Sequence, residues 1–104
     1  DGCLSGVFVL FPDPWPKKRH SERRFIGPDN LDQLSRLLKT EGELRIASDH
    51  PVYVGWVREQ MAARSDFAPA LDVTQRPGDW AASRYEQKAL ERGETCTYLS
   101  WKRR

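Results

Sequence analysis

The stretch Val7-Phe8-Val9-Leu10-Phe11-Pro12-Asp13-Pro14-Trp15-Pro16 determines how this chain begins to fold. Its first five residues are apolar without polar alternation, which is typical of a parallel strand buried on both faces. Each proline disfavours helix at the residue before it and removes a backbone donor, so the strand is predicted over Gly6–Phe11. Asp13 then lies on a stiff turn at the carboxyl end of a strand, the end at which open α/β sheets bind ligands.

Alternating helix and strand patterns follow this turn. Hydrophobic periodicity and capping signals predict a loop over 12–27, a helix over 28–41, a strand over 43–49, a helix over 51–64, a strand over 67–73, a loop over 75–82, a helix over 83–92 and a strand over 95–102. The strand–helix–strand–helix order predicts an α/β fold with a parallel, doubly wound sheet and flanking helices. The alternation near the end predicts a terminal antiparallel strand.

Length and composition are those of one small globular domain. The 104 residues are 31% charged and 38% hydrophobic. No apolar run approaches the length of a membrane span, and no secretory signal is present. Cys3 and Cys96 lack metal-ligand or CxxC spacing. We therefore expect a cytoplasmic protein with two reduced thiols, no metal site and no membrane contact.

Positive charge is concentrated in two segments although the net charge is only +2. Residues 17–24 sum to +4 and residues 102–104 to +3, so the rest of the chain sums to −5. This distribution favours a local polyanion site over a generally basic protein. Because the first segment follows Asp13 and Trp15, an indole that could stack on a base, we infer a nucleic-acid partner.

Simpler structural roles exist for the same residues. Asp13, followed by proline, could be a turn former, and a basic run could be a solvated loop. Asp49 should lie near Asp13 because adjacent parallel strands end at one sheet edge, yet it could also cap the next helix. Ser83 and Glu86 match a capping box, which explains them without any function.

The chain is expected to be the carboxyl-terminal part of a longer protein. A buried parallel strand so close to its start needs neighbouring strands and covering helices that these residues barely supply. None of the seven glycines forms a GxG phosphate loop. We predict that residues 1–104 are part of a single domain, and that sheet edges left unpaired promote self-association.

An ordered series of motifs resembles the signature of the bacterial tRNA (guanine-N7-)-methyltransferase family. The motifs are FPDPWPKKRH at 11–20 with Arg23-Arg24 following, GEL at 42–44, ASDH at 47–50, Arg76-Pro77, SRYEQK at 83–88 and Gly93. They cover nearly the whole chain, and their order makes the resemblance specific. It implies a Rossmann-like fold and transfer of a methyl group from S-adenosylmethionine to N7 of a guanine in the tRNA variable loop.

The resemblance also implies roles for individual residues. Asp13 corresponds to the carboxylate regarded as catalytic and close to the cofactor's methyl group, which makes it a cofactor-binding position too. The implied substrate-binding residues are Lys17, Asp49, Ser83, Arg84, Tyr85 and Glu86. The implied RNA-binding residues are Arg19, His20, Ser21, Glu22, Arg23 and Arg24. Ser83 replaces the family's threonine, and Glu22 replaces a residue that is usually basic.

The family's glycine-rich cofactor loop and its acidic ribose-binding residue have no counterpart in this sequence. The resemblance therefore implies that these 104 residues alone do not transfer methyl groups. Within the family's mechanism, we hypothesise that Asp13, Asp49 and Glu86 together form a negative lining around the purine.

Two other functions stay compatible with the residues. An amino-methyltransferase acting on adenine or cytosine has an Asp/Asn-Pro-Pro-aromatic motif after a strand, which Asp13-Pro14-Trp15-Pro16 loosely matches. A non-catalytic RNA-binding module would keep the basic segment and have no cofactor site.

Overall fold

The computed structural model of the protein describes residues 2–15, 17–80 and 83–104, and of Lys18 only the backbone. Its elements, in chain order, are β1 (Leu4–Leu10), a 3₁₀ helix (Lys18–Arg23), α1 (Pro28–Leu37), β2 (Leu38–Ser48), α2 (Pro51–Ala62), β3 (Phe67–Val73), α3 (Arg84–Glu91) and β4 (Thr97–Arg103). The predicted α/β class is confirmed. Pro16 of the predicted loop 12–27 and the end of the predicted loop at 81–82 lie outside the described residues.

The four strands form one mixed sheet in the order β1-β2-β4-β3. β1 runs parallel to β2, with Val7 opposite Leu44, and β4 runs antiparallel between β2 and β3. The parallel pair and the terminal antiparallel strand were both predicted and are confirmed. Beyond β1, the Phe11 N–H donates to the Ala47 carbonyl at 2.7 Å. This bond keeps the chain after β1 beside the end of β2, where the candidate site lies.

Helices α1 and α2 cover one face of the sheet. The apolar stripe predicted for α2 is confirmed, since Tyr53, Val54, Val57 and Met61 are all buried. They pack with Leu31 and Leu34 of α1 onto inward side chains of the strands, among them Leu44, Ile46 and Leu99. Helix α3 and Trp80 cover the opposite face, where a second core contains Ala47, Ala89, Cys96 and Tyr98.

The predicted boundary between the first helix and the second strand was wrong. Helix α1 ends at Leu37, and Leu38 already pairs with Leu4 of β1. The strand is irregular here: Glu41 has a φ of 69°, and Gly42 is packed so closely that a Cβ would lie 2.8 Å from the Lys39 carbonyl oxygen. Pairing with β1 therefore converts the predicted last helical turn into strand, and only glycine fits at position 42.

β1 is not buried on both faces, as its apolar run predicted. Val7 and Val9 are half-buried against the core under α1 and α2. Leu4, Phe8 and Leu10 point to the other face and are exposed, Phe8 by 58%. Among the described strands, β1 pairs only with β2, and on this second face the Arg45 guanidinium lies 4.9 Å from the Phe8 ring centroid without burying the ring.

Four further features bear on the sequence-based expectations. The segment 12–27, predicted as a loop, contains the 3₁₀ helix. Helix α3 has the predicted cap, and Gly93, with a φ of 78°, follows its end. Cys3 is an exposed free thiol and Cys96 a buried one. No helix in the described ranges is long and apolar enough to cross a membrane.

Candidate functional site

A cavity of about 610 Å³ opens at the carboxyl ends of β1 and β2. It is lined by Phe11, Pro12, Asp13, Pro14, Asp49, His50, Tyr85, Lys88 and Arg92. Because β1 and β2 are parallel neighbours, Asp13 and Asp49 lie at the same edge of the sheet. The structure thus brings together the two carboxylates that the sequence placed after these strands.

The turn that carries Asp13 has two residues in the left-handed region. Phe11 has a φ of 51° and Trp15 a φ of 43°. A bulky residue at positive φ costs on the order of 1–3 kcal/mol, so the surrounding contacts must hold the turn. Oδ1 of Asp13 accepts a hydrogen bond from the Trp15 N–H at 3.1 Å. Asp13 therefore stabilises the turn while its exposed carboxylate lines the cavity.

Asp49 belongs to an acidic pair bridged by an arginine. Nη2 of Arg92 lies 3.4 Å from Asp49 Oδ2, and Nε of Arg92 lies 3.1 Å from Glu94 Oε1. A hydrogen bond with Glu94, assisted by burial, raises the pKa of the Asp49 carboxyl above its usual value. Hydrogen bonds from Arg92 and from Asp49 lower the pKa of Glu94. Both shifts favour protonation of Asp49 over Glu94 as the pH falls.

One side of α3 and its end faces the cavity. Tyr85, Lys88 and Arg92 are spaced at i, i+3 and i+7, and all three line it. Tyr85 is 68% exposed at the rim. Sequence reasoning named Tyr85 but missed Lys88 and Arg92, which helical spacing from Tyr85 could have found. His50 follows Asp49 directly and also lines the cavity.

Glu86 does not line the cavity with Tyr85. One position further along α3, it turns towards the sheet and is only 6% exposed. Its carboxylate accepts a hydrogen bond from the Tyr98 hydroxyl and lies 3.2 Å from Nε of Arg76. The hypothesised negative lining therefore consists, in the described residues, of Asp13 and Asp49 without Glu86. Burial, followed by the Glu86 hydrogen bond, raises the pKa of Tyr98, which keeps its hydroxyl a donor.

The other two residues of this motif have local roles. Ser83 Oγ accepts a hydrogen bond from the Glu86 N–H at 3.1 Å, which is the predicted helix cap. Arg84, the first residue of α3, is exposed to solvent.

The basic segment folds back on Trp15. The His20 ring meets the Trp15 ring edge-on at 5.5 Å, and the Arg23 guanidinium lies 5.0 Å from its centroid. Lys17, Arg19 and Arg23 are exposed, as is Glu22, whereas His20 and Ser21 are half-buried. Lys17 precedes the 3₁₀ helix and is not among the described residues that line the cavity. The exposed cations of this segment are therefore not among the described residues that line the cavity, whereas Lys88 and Arg92 of the α3 region are.

Arg24 differs from the rest of the basic segment. It is only 6% exposed, and Nε and Nη2 both donate to the Trp15 carbonyl oxygen at 3.1 Å. The sequence grouped it with the RNA-binding residues, but its guanidinium is already occupied inside the fold. No group of three or more potential metal ligands occurs in the part of the chain that the structure describes.

Three proteins similar to this chain carry the same name. The chain is 50% identical to the tRNA (guanine-N(7)-)-methyltransferase of Paramagnetospirillum magneticum, with 100% of this chain and 44% of that protein covered. It is 49% identical to the protein of that name from Rhodospirillum rubrum, with 100% and 42% covered. For the protein of that name from Zymomonas mobilis the identity is 42%, with 99% and 46% covered. The chain thus spans less than half the length of these relatives.

A family model agrees with these similarities. The model described as "Putative methyltransferase" matches residues 1–99, which include β1, the Asp13 turn, the basic segment and α3. This chain belongs to that methyltransferase family.

Proposed function

We propose that this chain is part of an enzyme that transfers a methyl group from S-adenosylmethionine to N7 of a guanine in tRNA. The main support is the cavity at the carboxyl ends of β1 and β2, where Asp13 and Asp49 lie together beside a segment of exposed cations. Similarity to relatives named tRNA (guanine-N(7)-)-methyltransferase supports the choice of substrate and of methylated atom.

The chemistry suits a site without a general base. N7 of guanine is a bare acceptor at the major-groove edge, so no proton has to leave before it attacks. S-adenosylmethionine supplies, when bound, an electrophilic methyl group on a positively charged sulfur. Asp13 and Asp49 would face a cation of this kind with their carboxylates, and Asp13 is the better placed of the two because Arg92 already lies 3.4 Å from Asp49.

The residues in and beside the cavity have different roles in this reaction. Asp13 offsets the positive charge that develops on the purine, and Asp49 accepts hydrogen bonds from the N1–H and N2–H₂ groups of guanine. Tyr85, exposed at the cavity rim, offers an aromatic face on which the base stacks. Lys17, Arg19 and Arg23 bind tRNA phosphates from outside the cavity.

The 104 residues form part of one methyltransferase domain rather than a complete catalytic unit. They contain no glycine-rich cofactor loop, and they span 42–46% of the relatives compared above. We therefore expect the isolated chain to bind S-adenosylmethionine weakly and to transfer no methyl groups.

Methylation of an unmodified tRNA transcript tests the proposal. The full-length protein containing this chain is incubated with isotope-labelled S-adenosylmethionine, and the nucleosides are then separated and identified by mass spectrometry. We expect the label on 7-methylguanosine. A label on an exocyclic amine of adenine or cytosine would instead indicate an amino-methyltransferase, and tRNA binding without any transfer would indicate an RNA-binding module.

A further inference from the structure

We propose that Arg24 is a positioning residue that holds the Asp13 turn in its reactive shape, rather than an RNA-binding residue. The expected effect of Arg24 on catalysis rests on the proposed function. The contacts that Arg24 makes do not depend on that function. They form a continuous path from helix α2 through Arg24 and Trp15 to Asp13.

Two kinds of contact hold the Arg24 side chain, one with an aromatic ring and one with a carbonyl oxygen. We call this arrangement the clamp. Its guanidinium lies 4.7 Å from the ring centroid of Trp56 on α2. Nε and Nη2 both donate to the Trp15 carbonyl oxygen at 3.1 Å. Trp56 is itself anchored, because its Nε1–H donates to the Ile26 carbonyl at 2.5 Å. Helix α2 is thus linked through Trp56 and Arg24 to the Trp15 carbonyl.

Trp15 transmits this position to Asp13. The Trp15 N–H donates to Asp13 Oδ1 at 3.1 Å, so both polar groups of the Trp15 backbone are engaged. Trp15 has a φ of 43° and precedes a proline, and both features make its conformation unfavourable without external support. The bonds from Arg24 supply that support. Their loss would let Trp15 relax and carry the Asp13 carboxylate away from its place in the cavity.

Burial argues against phosphate binding by Arg24. Only 6% of its surface is exposed, whereas Arg19 and Arg23 in the same segment are exposed. Arg24 lines two cavities beside Trp56, of about 480 and 380 Å³, but its Nε and Nη2 already donate to the Trp15 carbonyl and would have to leave it to bind a phosphate. Burying a cation is costly unless it is hydrogen-bonded, and Arg24 recovers part of this cost from the Trp15 carbonyl and the Trp56 ring.

The clamp requires arginine rather than positive charge alone. Two N–H groups in a rigid planar fork converge on one carbonyl oxygen while the guanidinium carbon lies over an aromatic ring. The lysine ammonium is a compact point charge without a planar face. Arg24→Lys therefore separates the two roles, since it keeps the charge and loses the fork.

Single-turnover methylation at saturating tRNA, together with the salt dependence of tRNA binding, tests the clamp in the full-length protein. Arg24→Ala and Arg24→Lys should each lower the saturating rate at least tenfold and leave the slope of log K against log salt unchanged. Arg19→Ala should flatten that slope by roughly 0.7–0.9, the value for one lost phosphate contact. Lys39→Ala, which removes an exposed charge at the far end of β2, should change neither quantity.

A second readout does not depend on activity. In ¹⁵N-labelled protein, the Trp15 indole signal, assigned through Trp15→Phe, should shift in Arg24→Lys and stay in place in Arg19→Ala. An unshifted Trp15 signal in Arg24→Lys would overturn the clamp, as would a wild-type rate in that variant.

A flattened salt slope with a normal rate in Arg24→Ala would make Arg24 a phosphate contact. If Arg24→Ala does not fold, Arg24→Lys decides alone. A wild-type protein that cannot methylate guanine would instead overturn the proposed function, and the indole signal would still decide the clamp.

Discussion

The hydroxyl of Tyr98 on β4 donates a hydrogen bond to Oε1 of Glu86 on α3, so the sheet and the helix share a buried carboxylate. Arg76 contacts Oε2 of Glu86 at 3.2 Å, and its Nη1 donates to the Trp80 carbonyl at 2.5 Å. This network ties the segment between β3 and α3 to the second core. Because α3 also presents Tyr85 and Lys88 to the cavity, the network indirectly sets the position of that cavity wall.

Glu86→Ala should therefore destabilise the fold. It leaves the Tyr98 hydroxyl buried without its acceptor and Arg76 without its carboxylate, and we expect the free energy of unfolding to fall by about 2–3 kcal/mol. Chemical denaturation measures the change. Glu91→Ala, an exposed residue of the same helix, should stay within about 0.5 kcal/mol of wild type. Normal stability with lost activity would assign Glu86 to the substrate instead.

Asp13→Asn should slow methyl transfer. The substitution keeps the size of the side chain and an oxygen that can accept the Trp15 N–H, but it removes the negative charge. We expect the single-turnover barrier to rise by about 2–4 kcal/mol, as for other preorganised electrostatic groups, with little change in Tm. If the variant reacts at the wild-type rate, Asp13 only shapes the turn.

Glu94→Gln should shift the pH dependence of activity to lower pH. In the wild type, the hydrogen bond with Glu94 raises the pKa of Asp49, so Asp49 becomes protonated, and unable to accept bonds from guanine, at a higher pH than an ordinary aspartate. A glutamine amide would donate to the ionised carboxylate and lower that pKa. The acid limb of kcat/KM measures the shift. If the acid limb does not move, Asp49 does not bind the substrate.

Asp66→Asn should reduce stability at neutral pH but not in strong acid. A hydrogen bond from Arg64 lowers the pKa of Asp66 from 3.8 to about 2. Because the folded-state pKa is depressed, the stabilisation is complete above about pH 4 and is lost as the pH falls through about 2. We expect a loss of about 1–2 kcal/mol at pH 7, discounted for partial exposure. Equal losses at pH 7 and pH 2 would contradict this origin.

Isolated residues 1–104 should self-associate. β1 leaves one edge unpaired among the described strands and exposes Leu4, Phe8 and Leu10. Phe8→Lys should reduce the association measured by light scattering, because it places a charge on the exposed apolar face. Leu90→Lys is the matched control, since Leu90 is similarly exposed on α3. A monomeric wild-type chain at high concentration would contradict the expectation.

The sequence determined those features whose signal is local. The prolines after Phe11, the apolar stripe of α2, the Ser83 cap and Gly93 all act within a few residues, and the structure confirms the elements that they predict. The strand Phe67–Val73 was predicted at its observed boundaries. Asp13 and Asp49 could be placed in one site because parallel neighbouring strands end at a common edge.

Tertiary structure decided which charges are available to a ligand. Arg23 and Arg24 are adjacent in sequence, yet Arg23 is exposed and Arg24 is buried under a carbonyl and an indole that lies 32 positions further along the chain. Tyr85 and Glu86 are adjacent too, and one helical step of about 100° places them on different sides of α3, with Tyr85 at the cavity and Glu86 at Tyr98. A sequence gives the charge of each side chain, but its exposure depends on contacts between distant segments, which form only when the sheet is assembled.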